Sequence, residues 1–234
     1  NEGGALTSVS ASITGIYLGA ASWGDYDGDG DLDIALTGII ETGQGTLQIF
    51  LNDEGRFIKD LFQDDLSPLR YSDVAWADHD RDGDLDLIVN GMTPAGNTST
   101  ALYANERIDA SRIGSPIGSR AILRLDSPNT ARLINLNQGS VAWGDIDSDG
   151  DPDLAMSGYG AGGTRQTVVY INQDGGTLAR DDRNSDLLPV AAGDLSWGDM
   201  DNDGDLDLAI SGWNNEWEAT LQVYNNTAGI LREN

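Results

Sequence analysis

The chain has no cysteine, a single lysine (Lys59), a single histidine (His79) and no apolar run approaching the ~18 residues that a membrane-spanning helix requires. Without cysteine there is no disulfide framework, and any cross-linking of loops has to come from elsewhere. Without a Ser-His-Asp constellation or a thiol, the sequence offers no activated nucleophile pattern for acyl transfer. Lys and Arg number only 13 against 39 Asp and Glu, for a formal charge of −26. That balance argues against nucleic acid or an anionic membrane surface as partner, since both call for basic patches, and the lack of a long apolar run argues against membrane insertion. It suits a secreted, extracellular or cell-surface protein, or one from a salty medium. The opening "NEGGALTSVS" has no basic start, apolar core or initiator methionine, so any signal peptide is expected to have been removed.

The acid is not spread evenly. "WGDYDGDGDLDIAL", residues 23–36, places five aspartates in nine positions, and the pattern returns as "WADHDRDGDLDLIV", "WGDIDSDGDPDLAM" and "WGDMDNDGDLDLAI". Together the four loops hold 20 of the 39 acidic residues. Neighbouring carboxylates repel by about 1 kcal/mol per pair even in water, so a folded loop of this kind needs a counter-charge. Oxygen ligands at positions 1, 3 and 5 followed by glycine at position 6 are how a short loop wraps Ca²⁺. A solvated acidic tract would not recur in fixed register behind a tryptophan. An EF-hand is excluded because position 12 is Leu36, Val89, Met156 or Ile210 instead of glutamate. The segment after each loop alternates with period two, as in Leu32, Ile34 and Leu36 against Asp33, Ala35 and Thr37, which is a strand.

The loop therefore joins two strands, and about four Ca²⁺ ions are expected. Their side-chain ligands would be Asp25, Asp27, Asp29 and Asp33; Asp78, Asp80, Asp82 and Asp86; Asp145, Asp147, Asp149 and Asp153; and Asp199, Asp201, Asp203 and Asp207. Position 7 (Asp31, Asp84, Asp151, Asp205) would add a backbone carbonyl.

First aspartates fall at 25, 78, 145 and 199. Each unit holds a tryptophan strand, the aspartate loop, a second strand ending in glycine, a third ("TLQIFLN", "TALYAN", "TVVYIN", "TLQVYNN") and a weaker fourth such as "GRFIKD" or "GTLARD". Units of this length with four antiparallel strands predict an all-β protein, a β-propeller in one repeat domain, with a solenoid as the alternative. The blades are expected to span about 17–63, 71–127, 138–182 and 192–234, with residues 4–12 as an extra outer strand.

The unit resembles the FG-GAP/VCBS repeat of integrin-α-type β-propellers, whose Ca²⁺ loop D-x-D-x-D-G-x-x-D lies between strands one and two of a blade. The resemblance implies the fold and the metal, and says little about function. Two departures stand out: position 7 is also aspartate here, and such propellers commonly have seven blades. A closed ring of four and a part of a larger propeller both remain open.

Trp23, Trp76, Trp143 and Trp197 are expected to pack between blades. Trp213 takes the place of Ile39, Met92 and Tyr159, whereas Trp217 stands where Gly43 and Gly163 occur, making "WNNEW" a candidate binding loop with Trp217 and Trp213 as contacts. The insertion after the second blade's third strand carries Arg107, Arg112, Arg120 and Arg124, a candidate patch for an acidic neighbour. Asn97 and Asn225 begin N-x-S/T sequons. These features favour a non-enzymatic recognition, adhesion or self-assembly module whose partner is an extracellular protein, a glycan or another copy of the chain. A lectin-like sugar binder is the alternative, and a glycoside hydrolase or other hydrolase is third, since carboxylate pairs are abundant.

Overall fold

A computed structural model describes residues 13–63, 65–108, 120–173 and 175–234. The strands form four antiparallel sheets of four. The first contains β1 (Ile16–Gly24), β2 (Asp33–Ile40), β3 (Gly45–Asp53) and β4 (Arg56–Lys59), and the second β5 (Arg70–Ala77), β6 (Asp86–Met92), β7 (Thr98–Ile108) and β8 (Arg120–Leu125). The third contains β9 (Val141–Gly144), β10 (Asp153–Tyr159), β11 (Arg165–Gln173) and β12 (Thr177–Arg180), and the fourth β13 (Leu195–Gly198), β14 (Asp207–Trp213), β15 (Ala219–Thr227) and β16 (Ile230–Glu233). In every sheet the strands lie in chain order, the up-and-down meander of a propeller blade. The tight β3–β4 and β15–β16 hairpins turn on Glu54-Gly55 and Ala228-Gly229, whose four positive φ angles (51°, 88°, 52° and 80°) suit a two-residue turn that follows strand twist. The expected outer strand at 4–12 lies outside the described residues.

A four-stranded sheet cannot bury its two apolar faces alone, and stacking solves this three times. Ala35, Leu47 and Ile49 of the first blade share a core with Val74, Leu87, Val89, Tyr103 and Leu123 of the second. Ile88 and Leu102 meet Leu154, Met156 and Tyr170, and Ala155 and Val169 meet Leu208, Ile210 and Tyr224. The tryptophans sit at these seams. Trp76 donates its indole N–H to the Ser22 carbonyl at 3.3 Å, and Trp197 donates to the Ala142 carbonyl at 3.2 Å. Gly24 and Gly144 make room for them: a Cβ there would lie 2.8 and 2.7 Å from the rings of Trp76 and Trp197. Trp23 differs, being 58% exposed.

Short turns after the fourth strands add polar staples. Asp126 accepts from the Asn129 N–H at the start of a one-turn helix, α1 (Ser127–Thr130), and the Asn129 side chain then accepts from the Leu178 N–H of the next blade. Gln63 and Asn184 do the same for the N–H groups of Leu123 and Leu231. At the inner ends, Leu18, Tyr71, Gln138 and Ala192 occupy equivalent places with φ between 49° and 52°. These four residues, with Ser72, Gly139 and Gly193, line one cavity of about 300 Å³. All four blades therefore border a common axis. Strand packing links β1 to β5, β5 to β9 and β9 to β13, and no comparable packing joins the fourth blade to the first among the described residues.

Candidate metal centres

Each aspartate loop is held open by its own backbone. Position 6 is a glycine with φ between 90° and 98° in all four copies, a conformation costly for any residue with a Cβ. Its N–H donates to the first aspartate: Gly30 to Asp25, Gly83 to Asp78, Gly150 to Asp145 and Gly204 to Asp199, at 3.0–3.2 Å. The N–H of position 7 donates to position 5 in every loop. Position 4 is also left-handed throughout, whether Gly28, Arg81, Ser148 or Asn202.

This scaffold leaves carboxylate oxygens converging. Oxygens of Asp25, Asp27 and Asp29 lie within 4.8 Å of one another, as do those of Asp78, Asp80 and Asp82, of Asp145, Asp147 and Asp153, and of Asp199, Asp201 and Asp203. Asp25 Oδ1, Asp27 Oδ1, Asp78 Oδ1 and Asp147 Oδ1 are buried without any hydrogen-bond partner. Orphaned buried oxygens inside an all-oxygen cluster fit a hard cation such as Ca²⁺. Burial, reinforced by neighbouring aspartates, pushes Asp27, Asp80 and Asp147 above the usual carboxylate range. It carries Asp33 to about 6 and Asp153 to about 7. A cation would reverse these shifts by favouring the charged form.

Position 9 has an architectural task besides any metal. Asp33 accepts the N–H of Tyr26 on one oxygen and that of Asn52 on the other, and Asp86, Asp153 and Asp207 repeat the pattern with His79 and Asn105, Ile146 and Asn172, and Met200 and Asn226. These carboxylates tie the loop to the third strand. Of the four, Asp153 joins the first- and third-position oxygens of its own loop, and Asp86 gathers with His79 and Asp80 instead. The position-7 side chains are also engaged. Asp31 and Asp205 accept N–H groups from the hairpin residues Glu54 and Ala228, while Asp84 pairs with Arg107 at 2.7 Å and Asp151 with Arg81 at 2.5 Å.

The asparagine closing each third strand went unnoticed in the sequence although it recurs in every copy. Asn105, Asn172 and Asn226 donate from the side chain to the position-2 carbonyl of the preceding blade's loop, that of Tyr26, His79 and Ile146 respectively. Position 2 is thus a seam residue, and Tyr26, His79 and Ile146 are all buried. His79 has Asp86 at 2.6 Å from Nδ1 and Asp126 at 3.5 Å from Nε2. Burial disfavours its charge, but the bond to Asp86 and the surrounding carboxylates raise its pKa overall.

Among the candidate contact residues, Arg107 lies against Asp84 and at the place where a side chain on Gly28 would sit, so the acidic neighbour it meets is its own chain's first two loops. Arg124 pairs with Glu106 at 3.1 Å. Arg112 lies outside the described residues, and Arg120 opens β8. Trp217 is exposed and has φ 60° where other blades use glycine; its ring covers the guanidinium of buried Arg165 at 4.0 Å. Trp213 ends β14, partly exposed, paired with Ala219. Asn97 is on an exposed hairpin, whereas Asn225 donates to Asp201 at 2.9 Å. On the same end of the blades as these hairpins, two clefts open between neighbours. One of about 440 Å³ is bordered by Gln44, Pro68, Arg70 and Pro94, and one of about 530 Å³ by Asn97, Asn137, Gln138 and Tyr159.

Against known proteins, residues 25–89 match the FG-GAP-like repeat family. A fucose lectin from Kordia zhangzhouensis, solved in complex with methyl-fucoside, is similar in structure, with 11% identity, 70% of this chain and 98% of that chain covered, and a TM-score of 0.41. No curated protein matches the sequence.

Proposed function

Taking an FG-GAP-repeat β-propeller as the premise, we propose that this chain is a non-catalytic extracellular recognition and assembly module whose four aspartate loops hold Ca²⁺. The observation that carries the metal reading is the set of buried, partnerless oxygens on Asp25, Asp27, Asp78 and Asp147. Bound Ca²⁺ would supply positive charge that joins the end of each first strand to the start of the second, the cross-link that cysteine cannot provide in this chain. The residues do the rest. Glycine at position 6 shapes the turn, the position-9 aspartate fixes it to the third strand, and the position-2 residue locks it under the next blade. A non-catalytic role is supported by the fourfold repetition of the carboxylate clusters as loop elements, and by burial of His79 in a seam. Calorimetric titration of the chelator-stripped protein with Ca²⁺ should give about four sites and a higher melting temperature. Absence of binding heat and of any thermal shift would overturn the metal reading.

A second reading, carbohydrate binding, is favoured by the 530 Å³ cleft. The side chains of Asn97, Asn137, Gln138 and Tyr159 offer neutral donors, acceptors and a ring with no charged group among the lining residues, the chemistry that suits a polyol. Glycan-array binding that is lost in Gln138→Ala, with Ca²⁺ binding retained, would establish it; a blank array would remove it.

A further inference from the structure

Among the described residues, the trailing face of the fourth blade is open where that of each preceding blade is covered. At the three internal seams, the trailing face is buried at position 2 (Tyr26, His79, Ile146) and on strands two and three (Ala35 and Ile49, Ile88 and Leu102, Ala155 and Val169). The same positions of the fourth blade are Met200, 47% exposed, and the half-buried Ala209 and Val223, with Leu221 beside them 69% exposed. Gly198 stands where Gly24 and Gly144 receive a tryptophan, and a Cβ there would meet nothing within 4 Å. At every internal seam an asparagine amide from the next blade reaches a carbonyl such as that of Ile146, and at two of the three an indole N–H reaches one such as that of Ala142, the Trp143 indole N–H being buried without a partner. Among the described residues, no side chain donates to the Ser196 or Met200 carbonyl, their equivalents on the fourth blade.

The first blade carries the other half of the same seam. Trp23 is the exposed member of the tryptophan series, whereas the rings of Trp76, Trp143 and Trp197 are partly buried against the neighbouring blade. Asn52 donates from its side chain to Leu32 within its own blade, as Asn172 and Asn226 do to Pro152 and Leu206, but those two also reach a preceding blade. A Cβ on Gly55 would meet open space, whereas one on Gly229 would lie 3.1 Å from the Asp147 side chain. Ile34, Leu36 and Phe50 cluster with Ile13, Ile16 and Phe57 on the leading face, as Leu87, Val89 and Tyr103 do with Leu69 and Leu123. The first blade's apolar residues Ile34, Leu36 and Phe50 are themselves buried, at 8%, 6% and 2% exposure, so what it leaves open is the rim, Trp23 and Gly55, which matches the open groups of the fourth blade as donor and receiver.

We infer that the trailing face of the fourth blade docks the first blade of a second copy of this chain, head to tail, with Trp23 over Gly198 and Asn52 on the Met200 carbonyl. The inference rests on the assembly part of the proposed function and names its partner. The asparagine contact is one this chain already makes at three seams and the tryptophan contact at two, so the donor groups and the receiving carbonyls are present in each copy. An interface between unlike surfaces propagates into a ring or an open filament, depending on whether the rotation closes.

The absence of cysteine allows a direct test. Arg107 and Gly28 approach each other across the first seam, and their counterparts in the proposed contact are Glu54 and Asn202, both exposed. Glu54→Cys and Asn202→Cys, prepared separately and mixed in Ca²⁺, should be joined by a short bis-maleimide into a dimer, while either variant alone gives none. Light scattering of the wild-type chain should show a mass that rises with concentration, and Leu221→Glu should weaken that association at least tenfold. A mixture that stays uncross-linked with a monomer mass throughout would overturn the inference. A double variant that cross-links within one chain would also overturn it, because its own first blade would then be the occupant. Calcium titration of the same samples separates the two levels: retained binding without association removes this contact and leaves the metal reading standing.

Discussion

The third and fourth aspartate loops are nearly the same word, "WGDIDSDGDPDLAM" and "WGDMDNDGDLDLAI", and they differ in what lies beyond them. Their internal bonds coincide: the position-6 N–H goes to position 1, the position-7 N–H to position 5, and the position-2 N–H to the position-9 carboxylate. Yet Ile146 is fully buried and Met200 is 47% exposed. Loop shape is therefore written locally, in glycine and aspartate. Burial is supplied by the next blade.

Metal removal should break both loops at once and give the largest effect. A site held at 100 times its dissociation constant adds about 2.7 kcal/mol, so stripping several sites should lower the melting temperature strongly. An unchanged melt in EDTA, with metal loss verified, would mean that the loops hold themselves. Next comes the difference between seam and free face. Ile146→Ala should cost about 2–5 kcal/mol, as a large-to-small change in a packed core does. Met200→Ala should stay within about 0.5 kcal/mol at dilutions where copies do not associate. Equal losses in denaturant titrations would show that the fourth loop is covered after all. A smaller contrast is expected at the asparagines. Asn226→Ala loses its bond to the Ile146 carbonyl, which Asn52→Ala has no counterpart for, and should cost about 1 kcal/mol more.

The blade plan and the loop positions were legible because both are local patterns: period-two alternation, a glycine at a sharp turn, and a spacing that repeats. The residues that join blades were harder to see. The terminal asparagines of strand three stood in plain sight in "TLQIFLN" and "TVVYIN", but a polar residue at a strand end reads as a turn signal, and its partner lies about 80 to 90 residues away in the preceding loop. The amides of Gln63, Asn129 and Asn184 were hidden for the same reason. The tryptophan role depended on a neighbour, so one sequence pattern gave three seam residues and one exposed ring. Left-handed φ at Leu18, Tyr71, Gln138 and Ala192 had no signal at all, since four unrelated residue types share it.

Burial of two of the position-9 carboxylates also sets a proton affinity, and this gives the subtlest test. Asp33 and Asp153 have folded pKa values near 6 and near 7, above the ordinary carboxylate value, because burial disfavours their charge. A group whose pKa is raised on folding binds protons more tightly in the native state. Its stabilising contribution is complete below the unfolded pKa and is lost as pH rises through the folded one. In EDTA, the melting temperature should therefore fall between about pH 4 and pH 7.5. Saturating Ca²⁺ competes with those protons, so the slope should flatten or reverse over the same window. Asp153→Asn should remove the upper part of the metal-free slope near pH 7 while leaving the part near pH 6 that belongs to Asp33. Melts in EDTA that rise with pH across this window would show that burial does not hold these carboxylates in their neutral form, and that their backbone N–H bonds outweigh it.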